Sequence, residues 1–224
     1  MDAITEVAQW VFPLAGREVR LNAATLIMSW GVMGALAAFG LAVSRRPALV
    51  PGPLQSVAEV LVEVSRDLMA ETLGKRGQRY FALVLTLFVF ILISNWLGMI
   101  PFLAEPTKDL NTTLILAVVA FFAAQAAAIR AKGWRVYIKE YFQPFPFMFP
   151  LNVIGEAAKV VSMSFRLYGN VMGGSIIILV VSHLVYHLIL PPFLNAFFGL
   201  FVGTVQAFVF AMLALTYIAV ALQE

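Results

Sequence analysis

The sequence predicts an all-α integral membrane protein: about five membrane helices, the last two long and strongly tilted or bent, plus an interfacial amphipathic helix. Three observations carry this. Of its 224 residues, 62% are hydrophobic and 12% charged, against about 45–50% and about 25% in a soluble domain. The mean hydropathy is +0.91, and a chain this small cannot hide so much apolar surface inside itself. Apolar runs long enough to cross a hydrocarbon layer, which takes about 20 helical residues, recur along the chain. A soluble enzyme, a disordered chain and a disulfide scaffold are excluded on these grounds, and the absence of Cys removes thiolate metal sites and thiol nucleophiles. The net charge of +3 does not signal nucleic acid, because the basic residues follow the membrane topology instead.

Residues 1–224 are expected to form a single membrane domain. Residues 1–20 make an outer N-terminal segment with Asp2 and Glu6 and no Lys or Arg before Arg17, so neither a secretory signal nor an Arg-rich transit peptide is expected. The first span is 21–43. Leu54, Val57, Val60, Leu61, Val64 and Leu68 recur at helical spacing among Glu59, Glu63, Arg66 and Asp67, which predicts an amphipathic interfacial helix over 54–73. The second and third spans, Tyr80 to Ile100 and Asn111 to Ala131, fill 80–131. Tyr141 to Pro150 holds Pro144, Pro146 and Pro150 and is expected to be an interfacial loop rather than regular helix.

Residues 151–222 hold the long helices. The stretch from about Leu151 to Leu190 is broken only by Glu156, Lys159 and Arg166. As one helix it would run about 60 Å, twice the hydrocarbon thickness, so it must tilt, lie partly along the interface or bend. Gly169, Gly173 and Gly174 are the expected bend points. After Pro191-Pro192, Phe193 to Leu222 forms a second overlong segment. The loops after the first and third spans carry Arg45, Arg46, Arg66, Lys75, Arg76, Arg79 and Arg130, Lys132, Arg135, Lys139, whereas the 101–110 loop has only Lys108. Lys and Arg are retained on the cytoplasmic side, so the N-terminus is expected outside and the C-terminus inside.

Ionisable groups within a membrane are costly, about 2.5–3.5 kcal/mol for a central Arg. Arg166 is the clearest case, the only charged side chain from Val160 to Ser182. At about 100° per residue, Asn170, Ser162, Lys159 and Glu156 all fall within about 80° of it, forming one polar stripe. Glu156 and Lys159 can pair at three-residue spacing, which leaves Arg166 in want of an acid from another helix or another chain. A guanidinium stays protonated, so it serves as a permanent positive barrier rather than a proton carrier. Asn95, Asn170, Asn195 and Gln206 either line a watery path or bond neighbouring helices. His183 and His187 resemble half a metal site but lack a third ligand, so no metal is expected. Ser175 with His183 as a Ser–His dyad is a weak alternative, because the Gly after Ser is missing.

The run Ser164-Phe165-Arg166-Leu167-Tyr168-Gly169-Asn170 resembles the signature of subunit a of F-type ATP synthases. Asn95 to Pro101, Asp109 to Leu114, Gln143-Pro144-Phe145 and Gln206 to Phe210 resemble further family motifs in the right order. The resemblance implies a non-catalytic stator subunit, without cofactor, beside a rotating ring of c subunits. It further implies a b-subunit peripheral stalk, the remaining synthase subunits, a bilayer and no nucleic acid as its surroundings, and a bacterial plasma membrane as its location. Two half-channels in 151–222 would reach the ring, with Arg166 as the essential arginine between them and Asn170 and Gln206 lining the route. The inner-side stripe would be Glu156, Lys159 and Ser162. Many members carry Glu or His where Ser175 stands, and this chain has Gly199 at the second position that can compensate. His183, His187 or Asn195 would then do the outer-channel work beside Ser175. Protons are the expected ion, with sodium as the alternative, and a secondary transporter, which would usually show inverted repeats, is the more distant reading. No Gly-rich phosphate-binding loop is present, so nucleotide chemistry belongs to other subunits.

Overall fold

The computed structural model describes residues 9–14, 17–45, 52–100, 103, 105–142, 145–184 and 190–223. Backbone polar groups in hydrocarbon must be satisfied within their own segment, and the apolar segments comply as helices: α1 Ala23–Arg45, α2 Pro53–Leu73, α3 Phe81–Leu97, α4 Leu110–Lys132, α5 Trp134–Tyr141, α6 Phe149–Leu184, α7 Leu190–Ala196 and α8 Gly203–Gln223. Five helical stretches are long and apolar enough to cross a membrane: Ala23–Arg45, Gly77–Leu97, Leu110–Lys132, Phe149–Leu184 and Leu190–Leu222. The last of these joins α7 to α8 through a π-helical stretch, Phe197–Val202.

Four local features depart from the expectations. A two-stranded antiparallel hairpin, β1 Gln9–Leu14 and β2 Arg17–Asn22, precedes α1, with Gln9 opposite Asn22 and Leu14 opposite Arg17. Trp10, Val11, Phe12 and Val19 are strand-favouring types, and Asn22 then starts α1 by accepting hydrogen bonds from the amides of Ala24 and Thr25 at 3.1 and 3.3 Å. Next, α5 forms in the basic loop after α4, where no helix was expected. The proline segment is non-helical only in part: Tyr141 ends α5, Pro146–Met148 is a 3₁₀ turn, and Phe149 and Pro150 belong to the first turn of α6. Proline is tolerated there because its missing N–H would have had no helical partner. Finally, α-helical pairing in α6 runs unbroken past Gly169, Gly173 and Gly174. At 36 residues, α6 is about 54 Å long and must tilt or continue beyond an apolar layer of about 30 Å.

Two contiguous cores hold α3, α4, α6 and α8 together. One gathers Phe90, Ile91, Ala117, Met163, Leu167, Ala207 and Phe210; the other, nearer the basic loops, gathers Met69, Tyr80, Val84, Ala127, Leu215 and Ile218. Ala117, Ala120, Ala127, Ala207 and Ala214 are all fully buried, so helix backbones approach closely, the usual route to association where lipid replaces water. The amphipathic α2 leaves Leu54, Val57, Val60 and Val64 uncovered, as an interfacial helix would, and Gly74 ends it at a φ of 57° that favours glycine.

The end of the bundle away from the basic loops is locked by one amide. Asn95 donates from Nδ2 to the Gly203 carbonyl at 2.9 Å and accepts from Thr107 Oγ1 at 2.7 Å. Gly203 must be glycine, since a Cβ there would lie 2.9 Å from the Asn95 Cβ. Ser94, equally buried, has no partner for its Oγ among the described residues. Asn95→Ala is therefore expected to cost about 1–2 kcal/mol, and Ser94→Ala nothing or a slight gain, in thermal unfolding of the detergent-solubilised protein. Equal losses in the two variants would show that Asn95 is not the lock.

Candidate functional site

Arg166 lies on the exposed face of α6, and no acid among the described residues pairs with it. Only 11% of the apolar window of α6 is buried. Gly155, Gly169 and Gly173 have nothing within 4 Å of where a Cβ would stand, and with Ser162 they lie within about 60° of Arg166 on the helix. An open strip of small residues thus flanks the guanidinium on both sides, the surface that another helix can approach closely.

Toward the basic loops, α4, α5, α6 and α8 enclose a cavity of about 900 Å³ whose polar lining includes Gln125, Tyr137, Tyr141, Glu156 and Lys159. Glu156 Oε1 accepts from Lys159 Nζ at 2.6 Å, the expected pair. Its Oε2 accepts from Gln125 Nε2 at 3.0 Å. The Tyr137 hydroxyl donates to Gln125 Oε1 at 2.5 Å; its proton is thereby committed, so the Tyr141 hydroxyl, 2.8 Å away, donates to Tyr137. The chain of donors runs Tyr141, Tyr137, Gln125, Glu156. Burial, then the hydrogen bond and the neighbouring oxygens of Tyr137 and Glu156, raise the Tyr141 phenol well above its ordinary value despite the opposing Gln125 bond. Ser162, one turn on from Lys159, is exposed and lies outside this cavity.

At the other end is a narrow cavity of about 40 Å³, bordered by Asn95, Glu105, Asn170, Ser175, Asn195 and Gln206. Five of the polar residues singled out from the sequence therefore meet: Asn95, Asn170, Ser175, Asn195 and Gln206. Asn170 Nδ2 donates to Gln206 Oε1 at 2.6 Å, while Gln206 Nε2 is buried without a partner among the described residues. Ser175 Oγ donates to the Val171 carbonyl at 3.1 Å. His183 is exposed, its Nδ1 2.9 Å from the Leu179 carbonyl, and does not border the cavity; His187 lies outside the described residues. Ser175 and His183 are eight residues apart on one continuous helix, a rise of about 12 Å, so they form no dyad. Among the described residues no three His, Asp or Glu side chains come together.

The sequence reading missed Glu105. It precedes Pro106 in the short loop between α3 and α4, and its carboxylate lies over the bare backbone of Gly98: a Cβ at Gly98 would stand 1.8 Å from Glu105 Oε1. Burial raises its carboxyl above the ordinary value, partly offset by the charge of Lys108. The available signal was an acid fixed between Pro101 and Pro106 in an otherwise apolar loop. Gln125, Tyr137 and Tyr141 were missed as well, because they come together only when α5 folds back on α4.

Among the described residues the two cavities share no bordering residue. On α6 the first ends at Met163 and the second begins at Asn170; on α8 the gap runs from Gln206 to Thr216. These gaps, about 10 and 15 Å of helix, are filled by Leu167, Ala207 and Phe210, each no more than 1% exposed. Arg166 stands beside this seal, on its open side.

A family model described as ATP synthase A chain matches residues 26–219. The chain is 41% identical to ATP synthase subunit a of Moorella thermoacetica over 195 residues, 87% of this chain and 88% of that one. It is 38% identical to ATP synthase subunit a 2 of Syntrophotalea carbinolica over 200 residues, 88% and 84% of the two chains. It is 34% identical to ATP synthase subunit a of Citrifermentans bemidjiense over 216 residues, 95% and 92%.

Leu167→Ala is expected to destabilise the bundle by about 2–3 kcal/mol. This is the low end of the range for buried leucines, because a side chain released from these helices meets lipid rather than water. Thermal unfolding checks it; a loss below about 0.5 kcal/mol would mean that the seal collapses around the gap.

Proposed function

The chain belongs to the ATP synthase subunit a family, the non-catalytic stator subunit of the membrane sector, and on that premise we propose that its two cavities are offset half-channels leading to a ring of c subunits. The observation that carries this is the pair of separate polar cavities with an exposed, unpaired Arg166 between them. An ion reaching the end of either cavity meets the apolar seal and can go on only sideways, onto the open face of α6. A carboxylate carried by a ring helix along the strip of small residues would pass from one cavity to the other.

Arg166 would attract that carboxylate in its charged form, displace the ion it carried and hold off direct leakage. Its charge is permanent, so it cannot itself relay a proton. Asn170 and Gln206, bonded to each other beside it, would order water at the end of the narrow half-channel. Glu156 and Lys159 border the wide half-channel, with Gln125 and the two tyrosines orienting Glu156. The basic loops support a reading in which the wide cavity faces the cytoplasm, the N-terminus lies outside and the C-terminus inside, in a bacterial plasma membrane. Protons suit the narrow cavity better than sodium: about 40 Å³ holds at most a few waters, and a hydrated cation would have to shed its shell. The b-subunit stalk and the remaining synthase subunits complete the assembly.

One charge crossing 100 mV releases about 2.3 kcal/mol, so several ions must pass per ATP and a leak past Arg166 would waste each. Arg166→Ala is expected to abolish ion-coupled ATP synthesis by the reconstituted complex while leaving its subunit content intact. Normal coupled synthesis in that variant would sink the proposal, as would a chain that purifies with an active transport function but no ring. Ion identity is checked in the same proteoliposomes. ATP-driven acidification that a protonophore collapses is expected; sodium uptake that survives the protonophore would replace protons with sodium.

A further inference from the structure

We propose that Glu105 is the titratable group of the outer half-channel: its carboxylate takes a proton from outside water and passes it to water held by the amides and hydroxyl around the narrow cavity, toward the Arg166 face. This rests on the half-channel assignment. The step balances simply, with one O–H bond formed on Glu105 as hydronium gives up its proton, then broken as a cavity water accepts it.

Four observations converge on this residue. Among the described residues Glu105 is the only ionisable side chain bordering the narrow cavity; α3, α6, α7, α8 and the π-helical stretch contribute amides, one hydroxyl and apolar groups. Lys108, on its own loop, is the charged group that acts on it. Its carboxylate also has a built seat, since only glycine at position 98 leaves room for it. A merely structural acid would be expected to anchor its loop, yet no described side chain donates a hydrogen bond to it, and Thr107 already ties that loop to Asn95. Finally, a group bordering the same cavity needs an acceptor: Gln206 Nε2, on a residue 5% exposed, has no partner among the described residues. A water there would connect the cavity to the Asn170–Gln206 pair.

Burial raises the proton affinity of Glu105, bringing its titration nearer to the pH at which a carrier must both load and release. The sign is testable. The carboxyl is protonated below its raised value and charged above it, so any change that hydrates it moves the titration to lower pH.

The experiment uses the whole complex in proteoliposomes and records passive proton conduction through the membrane sector as a function of outer pH. Glu105→Gln is expected to lower conduction about tenfold or more and to erase the titration step, with ring and stator content unchanged. Glu105→Asp should restore most of the flow. Gly98→Ala, which keeps the acid but expels it from its seat, should shift the profile to lower pH, and it decides the matter should Glu105→Gln fail to assemble. Parental conduction with an unchanged profile in Glu105→Gln, or an unchanged profile in Gly98→Ala, overturns the assignment. Arg166→Ala is run alongside: if it uncouples while the Glu105 variants behave normally, this inference fails alone, and if it stays coupled, the stator reading fails with it.

Discussion

Leu167, Ala207 and Phe210 exclude solvent from the middle of the bundle, and the placement of its polar groups answers to that exclusion. A cavity lies toward either end, and among the described residues close-packed apolar side chains separate the two. A protein that passed ions through itself would need a continuous wet path; this one ends each path against close-packed side chains. The unpaired guanidinium then sits where a sealed interior stops and an open face begins. On the proposed function its cost in the membrane would be met outside the chain, which fits the uncovered strip around Arg166 and the lack of a paired acid among the described residues.

The two cavities differ in build, and the difference arises from the elements around them. The wide one lies where α5 folds against α4 and α6, among basic loops, and its donors are strung in one direction onto Glu156. That carboxylate is held between the Lys159 ammonium and the Gln125 amide. The narrow one is walled by the tight contact of α3 with α8, where Asn95 and Gly203 meet, and its acid comes from a loop rather than from a membrane helix. A loop residue keeps one side toward water while the bundle supplies the desolvation that tunes it. No spanning helix has to carry that buried acid.

Much of this is legible in the sequence, and the boundary of legibility is physical. The five apolar segments, the amphipathic 54–73 helix and the Glu156–Lys159 pair can be read from composition and from a period of 3.6 residues, because they depend on neighbours along one helix. Arg166 stands out for the same reason: charge among apolar residues is visible without knowing the fold. The hidden features depend on separate elements meeting. Glu105 looks like an ordinary loop acid until Gly98 is seen to leave room for it. Ser175, half a turn around the helix from Arg166, gains its place only when α7 and α8 close the cavity opposite it. The hairpin before α1 was passed over because its strands are short and mix charged with apolar residues. The helix α5 was passed over because eight residues are too few for a clear period.

The π-helical stretch at Phe197–Val202 carries a consequence for descent. Its wider turn accommodates one more residue than an α-helical turn does, in effect a single-codon insertion retained by the fold. A version one residue shorter could close as plain α-helix. Everything before it would then turn by about 100° and slide by about 1.5 Å relative to α8, carrying Asn195 away from Gln206. Along this helix, then, homology ahead of Phe197 is a matter of which way a residue faces, and a gapless alignment with a relative lacking the wide turn would equate positions that point into different surroundings.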